Sequence, residues 1–186
     1  MEFLRARLQS RGSLHCSLGQ TAIGSTVERF RTDAKAEGDL VTVGGYQTCD
    51  GHGNGIAHQG AKWFLLQLTR KNAPWAFVKG EPFRTIVSLE LLGSLMGIML
   101  LLDGDEDPEM RCTAKVSVGG LTDNSGNRFA VARLLTTKWP LAAFVAELSV
   151  QLEDRGILFE MAWVPREQNA EADAITNGVT DWPRSK

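Results

Sequence analysis

The sequence AKVSVGGLTDN at 114–124 alternates small or apolar residues with polar ones, which predicts a β-strand that ends in an acid and its amide, Asp123 and Asn124. The run NSGNRFAVARLL at 124–135 then has the pattern of a helix. A carboxylate between a strand and a helix can cap the helix. It can also lie at the carboxyl end of a sheet, where α/β folds bind ligands, and coordinate a metal ion. The positions of the other acids bear on this choice.

Four further strands are predicted around this one. They have alternating or continuously apolar patterns and span 27–33, 40–47, 62–69 and 157–164. The first, VERFRTD, ends at Asp33 and is more charged than a central strand usually is. A polar turn, KAEGD at 35–39, separates it from the second, and short links of this kind predict an antiparallel meander for the first three strands.

Helical periodicity predicts three helices besides the one at 124–135. They extend from about Arg84 to Leu102, from Pro140 to Gly156, and through NAEADAITNG at 169–178. Asn169 is placed to cap the last of them. The order β-β-β-α-β-α-α-β-α predicts an α/β fold with a mixed five-stranded sheet, in which three antiparallel strands are followed by crossovers and helices cover both faces.

Length and composition predict one packed domain. The chain has 186 residues, of which 43% are hydrophobic and 23% charged, so a full core can form. Residues 1–26 show no sustained period and contain several glycines, and we expect a loosely ordered extension there. The domain is expected at 27–178, with a short tail at 179–186.

Charge, cysteine usage and hydropathy limit the partners and compartments. With 20 basic and 22 acidic residues, a net charge of −2, the chain does not attract nucleic acid through bulk positive charge, so any such contact is local. Three widely spaced cysteines fit reduced thiols in a cytoplasmic or nuclear protein better than the disulfide framework of a secreted one, and the compartment stays open. The most apolar run, at 89–102, is shorter than the ~20 residues of a membrane span and contains Glu90, which predicts a buried helix and no membrane.

Four acids have unusual sequence neighbours. Asp33 and Asp123 end predicted strands. Glu90 lies within an apolar helical run, and Asp173 lies one turn into the last helix. Each also has an ordinary structural explanation. Asp33 can be a turn residue and Asp123 a helix cap. Glu90 can lie at the solvent-exposed edge of a tight helix–sheet contact, and Asp173 can be favoured by the helix dipole.

Glu90 is the sharpest case among these acids. Burying an unpaired carboxylate costs several kcal/mol, so a buried Glu90 requires a cation or a proton. The helical face that carries it is otherwise made mostly of small residues, among them Gly93, Ser94 and Gly97. This face predicts close packing of the helix against the sheet.

Taken together, the motifs around the acids resemble a known family. TDAKAEG with Asp33, SLELL with Glu90, TDNSGN with Asp123 and WVPREQNAEAD with Asp173 are similar to the ribonuclease H domain of retroelements, over about residues 27–178. The resemblance implies a ribonuclease H-like fold and hydrolysis of the RNA strand of an RNA–DNA hybrid. It also implies a monomer that is fused to, or processed from, a reverse transcriptase.

The resemblance implies a site as well as a fold. Its catalytic residues and metal ligands would be Asp33, Glu90, Asp123 and Asp173. Hard carboxylate oxygens suit two Mg²⁺ ions about 4 Å apart, with Mn²⁺ as a substitute. The expected substrate contacts, which lie next to the acids in these motifs, are Asn124, Arg166 and Asn169.

The chain also departs from the family's pattern. Many relatives carry a histidine in the loop before the last acid, whereas this loop reads PREQ at 165–168. Slower turnover, or another group in that role, would follow. Two alternatives therefore stay open: a catalytically decayed module that holds a polyprotein or nucleic acid in place, and a DNA exonuclease of the same fold.

Overall fold

The computed structural model describes residues 27–48, 61–77, 82–102, 116–122, 137–155, 157–163 and 165–179. Its strands are β1 Val27–Glu37, β2 Leu40–Gln47, β3 Trp63–Thr69, β4 Val116–Thr122 and β5 Ile157–Trp163. Its α-helices are α1 Ile86–Leu100, α2 Leu141–Arg155 and α3 Ala170–Thr176, and short 3₁₀ turns span Pro74–Phe77, Pro82–Thr85 and Arg166–Asn169. Asp123, Asn124, the predicted helix at 124–135, the extension at 1–26 and the three cysteines lie outside the described residues.

The five strands form one mixed sheet with the order β3-β2-β1-β4-β5. Strand β1 pairs with β2 antiparallel and with β4 parallel, β2 pairs with β3 antiparallel, and β4 pairs with β5 parallel. Parallel neighbours require long crossovers, which is why helical segments separate β1, β4 and β5 along the chain. The predicted meander followed by crossovers is confirmed, and β1 lies at the centre of the sheet.

The two faces of the sheet bury different sets of side chains. Side chains alternate along a strand, so Phe30 and Val43 belong to the core shared with α1 and α2. Tyr46 on β2 packs instead with Ala172 and Ile175 of α3. Helices therefore lie on both faces, as the sequence predicts.

Helix α1 approaches the sheet closely through its small residues. A Cβ added at Gly97 would lie 2.7 Å from two ring atoms of Phe30, and one added at Gly93 would lie 3.2 Å from Cβ of Thr32. Any larger side chain at Gly97 would push the helix away from β1. The predicted close contact is confirmed, and it brings Glu90, on the same face of α1, against the central strand.

Strand β1 is longer than the sequence predicts, and two expectations about it are wrong. Pairing with β2 continues to Glu37 opposite Leu40, so Asp33 lies in the middle of the strand and not at its end. The turn is reduced to two residues, of which Gly38 has a φ of +57° that favours glycine. Pairing with β2 thus keeps Lys35, Ala36 and Glu37 in the strand, although the polar composition of KAEGD favours a turn.

None of the helices in the described part of the chain is long and apolar enough to cross a membrane. The most apolar of these helices, α1, contributes Leu89, Leu91 and Ile98 to the core, each with no exposed surface.

Candidate active site

Asp33 lies two residues beyond the last described pair of β1 and β4. The last described pair of these strands joins Arg31 to Leu121, and the described part of β4 ends one residue later, at Thr122. Asp33 is 6% exposed. Asp123 follows Thr122 in the chain and is outside the described residues, so its predicted place beside Asp33 stays a prediction.

Glu90 reaches the backbone of β1 next to Asp33. Its carboxylate oxygen Oε1 accepts a hydrogen bond of 3.2 Å from the backbone N–H of Ala34. The residue is 3% exposed, so a buried acid meets the peptide bond that joins Asp33 to Ala34. The amide supplies part of the hydrogen bonding that a buried carboxylate requires.

Asn169 binds another backbone group of β1, close to the amide that Glu90 binds. Its side-chain Nδ2 donates to the backbone carbonyl of Thr32 at 3.0 Å. The C=O of residue i and the N–H of residue i+2 point to the same side of a strand, so Asn169 and Glu90 bind the edge of β1 on either side of Asp33. Side chains thus replace a neighbouring strand at these two backbone groups.

The predicted capping role of Asn169 is wrong. The residue does flank the first turn of α3, but its side chain makes no capping hydrogen bond and is turned toward β1. Its predicted contact with substrate stays a prediction. Because the residue is only 1% exposed, such a contact would require the turn Arg166–Asn169 to open.

Helix α3 brings the last acid to the same region. The hydroxyl of Thr176 lies 2.6 Å from Oδ2 of Asp33 and 3.0 Å from the backbone carbonyl of Asp173. The Asp173 carboxylate accepts hydrogen bonds from Arg166 at 2.8 Å and from Asn177 at 2.9 Å. With a side chain 31% exposed, Asp173 is the most accessible of the three described acids.

The structure therefore brings together part of the predicted site. Asp33, Glu90 and the helix that carries Asp173 meet at β1, and Arg166 is paired with Asp173. Within the ranges that the structure covers, no group of three or more histidine, cysteine, aspartate or glutamate side chains is arranged to hold a metal ion. The predicted ligand set also includes Asp123, which is not among those residues.

Sequence reasoning missed two residues that organise this region, Arg31 and Thr176. Arg31 is 6% exposed and donates from Nη1 to the backbone carbonyl of Gln168. The signal for Arg31 was present, since VERFRTD is unusually charged for the central strand that it forms. Thr176 left no such signal, because a threonine in a short helix is ordinary.

The fold has counterparts among solved structures. LC11 RNase H1 from compost, in a crystal structure with an RNA/DNA hybrid, is 18% identical over 84% of this chain and 97% of its own, with a TM-score of 0.55. RNase H1 from Halobacterium salinarum NRC-1 is 14% identical over 84% and 98%, with a TM-score of 0.53. The N-terminal RNase H domain of Rv2228c from Mycobacterium tuberculosis is 15% identical over 84% and 95%, with a TM-score of 0.51.

These likenesses concern the fold. No protein-family model matches the chain, and no curated protein matches it in sequence. The solved structures are nevertheless covered almost over their full lengths, and this chain has a mixed five-stranded sheet. The chain has a ribonuclease H-like fold, as the sequence motifs implied.

Proposed function

We propose that this protein is a Mg²⁺-dependent ribonuclease H that hydrolyses the RNA strand of RNA–DNA hybrids. The observation that carries the proposal is the position of Asp33, in the middle of the central strand, between the backbone groups bound by Asn169 and Glu90. Helix α3 with Asp173 packs beside it through Thr176. Two acids far apart in sequence, Asp33 and Glu90, thus meet at one strand of a ribonuclease H-like fold, and the helix that carries Asp173 packs beside them.

The donor chemistry of this region fits a hard divalent ion. Carboxylate oxygens are the preferred protein ligands of Mg²⁺ and Mn²⁺, and the residues that would hold the ions are Asp33, Glu90, Asp123 and Asp173. Bound there, such ions supply an activated water and neutralise charge on the scissile phosphate. Asp33, Glu90 and Asp173 are among the described residues, and the proposal places Asp123 at the carboxyl end of β4.

The chain's own residues hold the acids and the substrate. Thr176 orients Asp33 by donating from its hydroxyl, and the Ala34 amide fixes one oxygen of Glu90. The Arg166 side chain is 73% exposed, so it can turn from Asp173 to a phosphate of the hybrid. Asn124, next to Asp123 in sequence, is proposed as a further substrate contact.

A retroelement origin is the second part of the proposal. It is supported by the motif WVPREQNAEAD, which resembles the corresponding segment of retroelement ribonuclease H domains. The proposed partner is a reverse transcriptase in the same polyprotein. An RNA/DNA hybrid is bound in the crystal structure of LC11 RNase H1, which supports the same substrate here.

One assay separates the proposal from its two alternatives. The full chain is incubated with a labelled RNA–DNA hybrid, single-stranded RNA and duplex DNA, with Mg²⁺, with Mn²⁺ or with a chelator. We expect cleavage of RNA in the hybrid alone, dependent on the metal. Absence of any cleavage favours a decayed module, and shortening of DNA alone favours an exonuclease.

Asp123→Asn tests the one acid of the proposed ligand set that lies outside the described residues. A metal ligand should lose cleavage on this change while the melting temperature stays the same or rises, because one of several mutually repelling carboxylates is removed. A helix cap should tolerate asparagine, which is about equal to aspartate there. Asp39→Asn is the matched control, since Asp39 is 79% exposed and pairs only at the surface with Arg70. Wild-type cleavage by Asp123→Asn would refute its assignment as a ligand.

A further inference from the structure

Arg31 is a buried cation on the central strand, on the face of the sheet that packs against α3. Its Nε lies 2.8 Å from Oε1 of Glu28, and Nη2 lies 3.4 Å from Oε2 of the same carboxylate. The two side chains are 8% and 13% exposed. Charged pairs this deep in a sheet contribute little net stability compared with apolar residues, so the pair calls for another explanation.

The charge of Arg31 is retained despite its burial. Burial by itself lowers the pKa of the guanidinium, but the hydrogen bond to Glu28 and the nearby carboxylates of Glu28 and Glu171 outweigh it, so that the pKa is raised. Arg31 is therefore a permanent multiple donor. Its Nε and Nη2 contact Glu28, and Nη1 can therefore bind a different acceptor.

That remaining group binds the turn before α3. Nη1 of Arg31 donates to the backbone carbonyl of Gln168, and the next residue of the turn, Asn169, donates from Nδ2 to the carbonyl of Thr32 at 3.0 Å. Two successive residues of β1 are thus joined, in the same order, to two successive residues of the turn, with one hydrogen bond donated from each segment. We call these two contacts the clasp.

The clasp lies between two of the proposed metal ligands. Asp33 follows Thr32 directly, and Asp173 lies four residues, about one helical turn, after Asn169. Helix α3 has only seven residues and no side-chain cap, so it cannot fix its own position. We propose that Arg31 is a positioning residue, and that the clasp to which it contributes sets the place of Asp173 relative to Asp33.

This inference deepens the proposed function and rests on it where metal ions are concerned. A residue that holds a ligand's helix behaves like the outer partners of metal ligands, whose loss lowers metal affinity or activity by about 10- to 100-fold. A residue that only stabilises the fold lowers the melting temperature without changing the affinity of the molecules that remain folded. The two roles can therefore be separated by measurement.

The experiment uses the full chain and the variants Arg31→Gln and Arg31→Lys. Glutamine removes the cation, whereas lysine keeps it as a single point donor that cannot bind Glu28 and Gln168 together. Thr85→Val is the matched control, because Thr85 is also buried and its hydroxyl bonds to the backbone carbonyls of Ala76 and Pro82, away from α3. Three quantities are measured: amide hydrogen exchange in α3, Mn²⁺ affinity by calorimetry, and kcat and KM for the hybrid.

The clasp predicts a specific pattern across these measurements. Arg31→Gln should increase exchange of the α3 amides relative to those of α1 by about tenfold or more. Mn²⁺ affinity and kcat should fall by about 10- to 100-fold with a smaller change in KM, and Arg31→Lys should recover part of both. Thr85→Val should lower the melting temperature and leave affinity and the α3 amides unchanged.

Two outcomes overturn different statements. If Arg31→Gln and Arg31→Lys behave like Thr85→Val, with unchanged α3 exchange and Mn²⁺ affinity, the positioning role is refuted and the proposed function stands. If the wild-type chain neither binds Mn²⁺ nor cleaves the hybrid, the proposed function fails. Hydrogen exchange then still decides whether Arg31 fixes α3, because that measurement needs neither metal nor substrate.

Discussion

The backbone N–H of Ala34 donates to Oε1 of Glu90 at 3.2 Å, on the side of β1 that faces away from β2. An acid from α1 thus takes the position that a backbone carbonyl of a neighbouring strand would have. The contact supplies part of the hydrogen bonding that an acid only 3% exposed requires. The hydrogen bond also fixes one carboxylate oxygen of Glu90 beside the peptide group that links Asp33 to Ala34.

Two substitutions of Glu90 separate its charge from its hydrogen bond. Glu90→Gln keeps an oxygen acceptor for the Ala34 N–H, so the free energy of unfolding in a chelator should be unchanged or higher, because a buried charge is removed. Glu90→Ala leaves that buried donor without its acceptor and should lower the same free energy by about 1–3 kcal/mol. Both variants should lose Mg²⁺-dependent cleavage. Urea unfolding and the hybrid assay measure the two effects.

The two readouts can contradict this prediction separately. Wild-type cleavage by Glu90→Gln would mean that the charge of Glu90 is not needed for metal binding. Equal unfolding free energies for the glutamine and alanine variants would mean that the contact with Ala34 contributes nothing to stability.

The close approach of α1 to β1 predicts a packing effect at Gly97. A methyl group there would lie 2.7 Å from Cδ2 and Cε2 of Phe30, so Gly97→Ala should lower the free energy of unfolding by about 1–3 kcal/mol. The steric cost of the methyl group should therefore be larger than the gain of about 1 kcal/mol that alanine brings to a helix interior compared with glycine. Thermal or urea unfolding measures the balance.

Phe30→Leu provides the matched background for Gly97→Ala. The smaller side chain leaves room for the methyl group, so the glycine substitution should cost less in Phe30→Leu than in the wild-type chain. If the cost is the same in both backgrounds, the ring of Phe30 is not what excludes a side chain at Gly97.

Much of this fold follows from local sequence pattern. The alternation in LVTVGGYQ predicts β2 with the bounds that the structure gives, and the glycines that follow Glu90 predict the close contact of α1. The apolar periodicity of α2 predicts one face made of Leu141, Phe144, Val145, Leu148 and Leu152. The last three are buried, and Leu141 and Phe144 are partly buried against the same core. Each of these features depends on neighbours in sequence or on one regular face.

The features that sequence could not supply depend on partners far away in the chain. Asp33 was predicted to end its strand because the next residues are polar, yet pairing with β2 carries β1 to Glu37. Asn169 was predicted as a cap because capping is local, whereas its partner is the carbonyl of Thr32, 137 residues away. The side-chain contact that Arg31 makes with Gln168 spans the same separation.

Arg166 offers a test of substrate contact that is independent of stability. Its ion pair with Asp173 joins side chains that are 73% and 31% exposed, and exposed pairs contribute only about 0–1 kcal/mol. Arg166→Gln should therefore change stability little. If Arg166 binds a phosphate of the hybrid, the variant should bind it more weakly and lower the salt slope of binding by about one.

Arg155→Gln is the control for this substitution. Arg155 ends α2, and its Nε lies 3.4 Å from Oε1 of Gln151. It is not among the described residues that contact Asp33, Glu90 or Asp173, so its loss should leave the salt slope of hybrid binding unchanged. Equal slopes for Arg166→Gln and the wild-type chain would remove Arg166 from the list of substrate contacts.

Tyr46 reports on the docking of α3 and is the chain's one tyrosine. Its ring is fully buried, and its hydroxyl donates to Oε2 of Glu171 in α3 at 3.1 Å. Burial raises the pKa of Tyr46 first of all, and the carboxylate of Glu171 raises it further. The folded protein should therefore show no tyrosinate absorbance near pH 10, where an unfolded chain titrates.

The sign of the linked stability change follows from this shift. A pKa that is higher in the folded state than in the unfolded state adds stability that is complete below about pH 10 and is lost as the pH rises further. Tyr46→Phe should remove this alkaline component and, with the lost hydrogen bond to a carboxylate, lower the free energy of unfolding at neutral pH by about 1.5–3 kcal/mol. Ultraviolet titration with and without denaturant, combined with urea unfolding at several pH values, measures both. Tyrosinate that forms near pH 10 while tryptophan fluorescence still reports the folded state would show that Tyr46 is accessible and that α3 is not docked on β2.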